Sequence, residues 1–150
     1  MPYQEETIKT ILDRLNTQYF LPSIQRNYVW KDDKVILLFD SIMRGYPISS
    51  FLFWEIEDAN KNKWEIYKFC EIAYSGGTKH IKLPVAFGIQ NLTLVLDGQQ
   101  RLTSLLIGLK GIYRIRSPRM WYIPSNFPEY RLYLDLFGDP EPKDESLEIS

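Results

Sequence analysis

The chain has 150 residues, 45% of them hydrophobic and 15% aromatic, with a formal net charge of −1. That length suits one domain with its own core, and the aromatic content excludes a disordered class. The single cysteine, Cys70, excludes an internal disulfide. No apolar run approaches the roughly 20 residues of a membrane span, and the N-terminus lacks a signal-peptide pattern, so the sequence predicts a soluble cytoplasmic protein.

Ile8, Ile11, Leu12 and Leu15 predict an amphipathic helix from about Glu5 to Leu15. Tyr19 to Ile24 reads as a strand, with Pro22 favouring an edge position. Asp32 or Asp33 can cap a second helix, with Val35, Ile36, Phe39, Ile42 and Met43 on one face; Gly45 ends it and Pro47 follows. Phe51 to Ile56 predicts a strand. After a turn at Asp58-Ala59-Asn60, the alternation from Trp64 to Tyr74 predicts a second, closed by Ser75-Gly76-Gly77. Trp54 and Trp64 are expected to face each other across that hairpin.

Residues 78–91 show no clear period. Leu92, Leu94, Val95 and Leu96 form the apolar run of a strand covered on both faces, and Leu102, Leu105, Leu106 and Leu109 continue at helical spacing. Arg131 to Leu136 alternates and predicts a last strand. The expected organisation is a domain over residues 1–138, followed over 139–150 by an acidic linker or the cut end of a longer protein.

The net charge hides an asymmetry. Residues 139–150 hold five acids and one lysine, so that end carries −4 and residues 1–138 carry +3. Between Gly98 and Pro128 stand Arg101, Lys110, Arg114, Arg116 and Arg119 without an acid. Such a patch suits phosphate contact, and it equally suits a solvated helix face.

The change from strand to helix falls on Asp97-Gly98-Gln99-Gln100-Arg101. Gly98 permits a tight turn or a close approach, and the helix that follows presents free N–H groups and a positive dipole end to an anion. An arginine and two amides beside that seat point to phosphate recognition. A second junction, Leu21-Pro22-Ser23-Ile24-Gln25-Arg26-Asn27-Tyr28-Val29-Trp30, places Gln25 and Arg26 just before the next helix. The two guanidinium-bearing corners are expected to close around one phosphate site. Asp97 would repel a phosphate directly unless it held a bridging Mg²⁺ or oriented an arginine or a water.

Together, L-P-S-I-Q-R-N-Y-V-W, D-S-I-M-R-G-Y-P-I and L-V-L-D-G-Q-Q-R-L-T-S-L resemble the N-terminal, GmrS-like domain of GmrSD-type restriction systems over roughly Leu21 to Leu109. The resemblance implies an α+β fold similar to ParB and sulfiredoxin, a small mixed sheet with packed helices. It further implies a role in defence against phage and other foreign DNA, including modified DNA, with nucleoside triphosphates bound and hydrolysed here and a nuclease domain downstream. By position it makes Asp97, Gln99, Gln100 and Arg101 the hydrolytic set, and Gln25, Arg26, Tyr28, Trp30, Gly98 and Thr103 the nucleotide-binding set. Mg²⁺ is the expected cofactor, with Asp97 as its protein ligand. A histidine-rich nuclease site cannot be built from His80 alone, and sulfiredoxin chemistry needs a cysteine where this loop has Gln99 and Gln100.

Plainer readings stand beside these. Arg101 and Arg26 can serve in salt bridges, the latter with Asp32 or Asp33, and Asp97 can cap its helix. Gln99 and Gln100 can face solvent. Tyr28 and Trp30 can pack in the core instead of stacking on a base. His80 reads as a surface residue and Cys70 as a packed one. A competing function is a non-catalytic DNA-binding or modification-sensing module that grips the duplex backbone with Arg114, Arg116 and Arg119. There is no Walker A loop, no Ser-His-Asp set beyond the lone His80, and no zinc site.

Overall fold

A computed structural model describes residues 3–84, 88–115 and 127–138. The elements run α1 (Ile8–Arg14), β1 (Tyr19–Pro22), α2 (Asp32–Met43), β2 (Leu52–Glu55), a 3-10 turn (Asp58–Lys63), β3 (Ile66–Lys68), β4 (Ile72–Tyr74), β5 (Ile81–Leu83), β6 (Thr93–Asp97), α3 (Gln99–Lys110), β7 (Ile112–Arg114) and β8 (Glu129–Tyr130). The class is α+β, as expected.

One sheet has the order β2-β6-β1-β3-β5, with β6 and β1 parallel and the other neighbours antiparallel. A smaller sheet, β4-β7-β8, combines a parallel and an antiparallel pair. Side-chain alternation divides β1 and β6 between two cores. Tyr19, Leu21 and Val95 face Leu12, Leu38, Leu102 and Leu105 of the helices. Phe20 and Leu94 face the opposite way, against Ile56 and Ile66. The predicted burial on both faces holds for Leu92, Leu94 and Val95, but Leu96, near the end of β6, is 38% exposed.

The helix ends follow local chemistry. Thr7 caps α1, its Oγ1 accepting the Thr10 N–H at 3.2 Å. Lys31, not Asp32 or Asp33, is the cap residue of α2; both aspartates lie in its first turn, where they complement the positive dipole end. At the other end Gly45 adopts φ +72°, its N–H bonding Ile42 and the Tyr46 N–H bonding Ser41, the paired bonds of a Schellman stop. The buried side of α2 is Val35 and Leu38, while Ile36 and Met43 are more than half exposed, a rotation of the predicted face.

Four expectations change for physical reasons. Pro22 lies in an interior strand, tolerated because it is that strand's last residue, opposite Ile66. The strand expected from Trp64 to Tyr74 is split into β3 and β4, which belong to different sheets. At the break, Asn16 takes over the role of a neighbouring strand. Its Oδ1 accepts the Phe69 N–H at 2.7 Å, and its Nδ2 donates to the Phe69 carbonyl at 3.1 Å. Trp54 and Trp64 do meet, edge to face with centroids 4.8 Å apart, although β2 and β3 are not paired. The last strand is Glu129–Tyr130, and residues 131–138 are irregular.

His80 is also corrected: it is buried, not on the surface, with Phe69 edge-on at 6.4 Å and no hydrogen-bond partner for either ring nitrogen. Burial pushes its pKa below 6.5, and the nearby backbone of Lys68 and Arg26 offsets only part of that shift. Cys70 is buried as expected, and burial pushes its thiol up to about 12, so it stays protonated. No helix among the described residues is long and apolar enough to cross a membrane.

The unfolded chain takes up a proton at His80 near pH 6.5 that the folded chain resists, so stability falls as pH drops below that value. Asp13, held at about 2 by Lys9 and Lys110, keeps its stabilising contribution above its ordinary 3.8 and loses it only as pH falls from there toward 2, outside the His80 window. Urea titrations between pH 7 and pH 5 are expected to show declining stability in the native chain and a flatter profile in His80→Leu. Parallel profiles would remove His80 as the source.

Candidate functional site

The strand-to-helix junction is where the three sequence motifs meet. β6 ends at Asp97, Gly98 turns the chain at φ +85°, and α3 begins at Gln99. A Cβ at position 98 would run into the Phe51 ring, so glycine is needed for both the backbone angle and the space. Gly98 has no side chain to cap α3, and the first helical bond runs from Leu102 N–H to the Gly98 carbonyl at 2.9 Å. The N–H groups of Gln99, Gln100 and Arg101 are left without a partner among the described residues, directed to the positive end of a 12-residue helix.

The side chains of this turn hold backbone. Gln99 Nε2 donates to the Val95 carbonyl at 2.8 Å, folding back onto its own strand. Gln100 spans the gap to the second motif: its Oε1 accepts the Val29 N–H at 3.1 Å, and its Nε2 donates to the Asn27 carbonyl at 3.0 Å. Arg101 reaches the third motif. Its Nη1 donates to the Ile48 carbonyl at 2.5 Å, its guanidinium lies 4.7 Å from the centre of the Phe51 ring, and its Nη2 is 3.5 Å from Asp97 Oδ2. The Arg101 side chain is 17% exposed and that of Asp97 is 70% exposed. Such a long pair with an exposed carboxylate contributes about 0–1 kcal/mol.

The remaining predicted residues separate into two groups. Arg26 is exposed, one residue from the Asn27 carbonyl that Gln100 binds, and its side chain has no partner among the described residues, Asp32 and Asp33 included. Gln25 is half-buried, its side-chain amide lying against the Pro22 and Ser23 carbonyls of its own loop. Tyr28, by contrast, is fully buried, its hydroxyl 3.0 Å from Ser104 Oγ, so its ring packs inside and offers no stacking face. Thr103 is also fully buried, its hydroxyl donating to the Gln99 carbonyl at 2.7 Å. Trp30 is half-buried between two core clusters, with the Lys34 ammonium 5.7 Å from its ring centre.

The described members of the basic run are all engaged with other groups. Arg114 pairs with Glu129 beside the Tyr74 ring, Lys110 pairs with Asp13, and Arg101 points inward. Arg116 and Arg119 lie outside the described residues. Sequence reasoning missed Ile48 and Phe51 as the seat of Arg101, because a backbone carbonyl and a ring carry no motif signal. Ser104 had a signal: a hydroxyl among leucines, four residues after Gln100, whose carbonyl it binds at 2.8 Å.

No group of three or more potential metal-ligating side chains occurs among the described residues. Asp97 therefore offers one carboxylate, which fits a Mg²⁺ ion that takes its other ligands from phosphates and water. The arrangement leaves N–H donors at the start of α3 beside the exposed Asp97 carboxylate, with Arg26 adjacent in sequence to the Asn27 carbonyl that Gln100 binds.

Comparison with known families matches residues 8–149 to the "GmrSD restriction endonuclease, N-terminal domain". Among curated proteins, the uncharacterized protein MJ0686 of Methanocaldococcus jannaschii is 31% identical over 132 residues, covering 85% of this chain. The chain spans 20% of that relative's length.

Gln100→Ala removes both bonds to segment 27–29 and should cost about 1–3 kcal/mol. Amide exchange at Val29 should accelerate selectively; unchanged protection would show that the loop is held by other contacts. Gly98→Ala should destabilise by at least about 1–2 kcal/mol from the left-handed backbone alone, measured by denaturant unfolding.

Proposed function

The chain belongs to the N-terminal domain family of GmrSD restriction endonucleases, and from that membership and the geometry of the junction we propose that it binds and hydrolyses nucleoside triphosphates within a DNA-restriction protein. The observation that carries this reading is the uncapped first turn of α3, with the exposed Asp97 carboxylate beside it and the unpaired Arg26 on the loop fastened to it. Neutral N–H donors and one free guanidinium suit a polyanion that must also be released.

In this reading the terminal phosphates lie on the N–H groups of Gln99, Gln100 and Arg101. Arg26 adds a planar guanidinium fork suited to phosphate oxygens. Asp97 would hold Mg²⁺, which when bound supplies charge neutralisation to the transferring phosphoryl group. Phosphoryl transfer depends chiefly on positioning and electrostatics, so this small set suffices in kind. Gln100 and Arg101 are positioning residues, because their polar groups are engaged with backbone carbonyls and N–H groups. Downstream nuclease action on DNA, including modified DNA, is part of the same proposal.

The alternative of a DNA-binding module resting on the basic run has less support, since Arg114 and Lys110 are paired with acids. Fluorescent analogues of ATP, GTP, CTP and UTP, titrated with Mg²⁺, are expected to show saturable binding of at least one. Arg26→Ala should weaken it about ten-fold, the scale of one lost charge-assisted hydrogen bond. Arg26→Lys should restore part of the affinity, and Asp97→Asn should remove the Mg²⁺ dependence. No saturable binding of any of the four would sink the proposal.

A further inference from the structure

Well away from the junction, Trp54, Glu55, Glu57, Asn60, Lys63 and Trp64 line a cleft of about 340 Å³ at the free edge of β2. Both indoles are partly exposed, at 40% and 38%, and meet at an interplanar angle of 75°. They form a corner, with no parallel slot that would take a flat base between them. Neither Glu55 nor Glu57 is in an ion pair with a described residue, and Glu57 accepts only a long bond of 3.4 Å from Asn60. Lys63 already brings an ammonium to this wall, donating to Asn60 Oδ1 at 2.9 Å. Two carboxylates against one lysine leave the cleft net negative, which disfavours phosphate.

We propose that this cleft is a binding site for an organic ammonium cation. Indole faces attract a cation through their quadrupole within about 6 Å of the ring centre, and unpaired carboxylates beside them supply the opposite charge. A compact ammonium fits a corner of two rings better than a planar ligand does. Lys63 is then the resident competitor, released to solvent when the ligand enters. The site is independent of the nucleotide reading.

Choline and its uncharged isostere 3,3-dimethylbutanol, titrated into the full chain, separate charge from shape. The indole N–H resonances of Trp54 and Trp64 should shift saturably with choline, with Kd of about 1–10 mM, and not with the neutral isostere. Glu55→Gln should weaken binding about three- to ten-fold and Lys63→Met should strengthen it; both are surface changes that leave the fold intact, whereas Trp54→Ala risks it. Equal shifts from the neutral isostere, or no saturation with choline, would overturn the proposal. Spermidine and N-acetyl-lysine methylamide identify the source: tighter spermidine binding points to a free polyamine, tighter binding of the lysine derivative to a protein side chain, and binding of neither would also count against the site.

Discussion

One side-chain amide, that of Gln100, ties together parts of the chain more than 70 residues apart. Its oxygen and nitrogen engage the Val29 N–H and the Asn27 carbonyl, two backbone groups that no strand pairs. Segment 23–30 is mostly irregular, and a loop in that position must still satisfy its polar groups. The amide does so from the first turn of a helix whose other side is buried to Leu102, Leu105 and Leu106. Arg101 repeats the arrangement toward Ile48, so α3 is fastened on two sides where its own backbone is least satisfied.

The same solution appears at Asn16. That residue adopts φ +62°, and its amide brackets the backbone of Phe69 as a neighbouring strand would. The consequence is architectural: β3 ends at Lys68, and the chain is free to enter a second sheet at Ile72. Asparagine tolerates the left-handed region better than most residues, and its short amide places donor and acceptor together. Two small sheets in place of one long hairpin follow from this one contact. Cys70 and Ala73 then pack with Tyr28, Ile107 and Tyr113 in a third cluster beneath α3.

Much of this was legible in the residues, and the limits have physical causes. The change of period across Asp97 to Arg101 located β6 and α3 because Leu92, Leu94, Val95, Leu102, Leu105 and Leu106 are buried, although Leu96 and Leu109 are exposed. Gly45 and Pro47 located the end of α2 through left-handed geometry. The alternation from Trp64 to Tyr74 was real, yet alternation cannot reveal that a distant asparagine interrupts the ladder. His80 looked exposed because its neighbours Lys79 and Ile81 gave no pattern, and it is packed by Phe69 from the segment between β3 and β4. Among the candidate site residues, sequence located Asp97 and Gly98 at the turn into α3, and Arg26 on the loop that Gln100 binds. It did not reveal that Tyr28 and Thr103 are interior, since a motif records which residues occur together and not which way they point.

That division bears on what the Asp97 to Arg101 motif is chemically. Glutamine at position 100 is required to donate and accept at once; glutamate lacks the donor, and asparagine is one methylene shorter. Arginine at position 101 keeps its guanidinium 4.7 Å from the centre of the Phe51 ring while reaching a carbonyl with one nitrogen, which the single point charge of lysine does not reproduce. Residue identity at both positions is thus accounted for by holding, without any contact to a ligand. Among the described residues, the N–H groups of the first turn and the Arg26 side chain have no partner, and the exposed Asp97 carboxylate has only its 3.5 Å contact with Arg101. A polar group with little or no internal partner is the one left able to bind something else, and Gln100 and Arg101 fix the backbone around those groups.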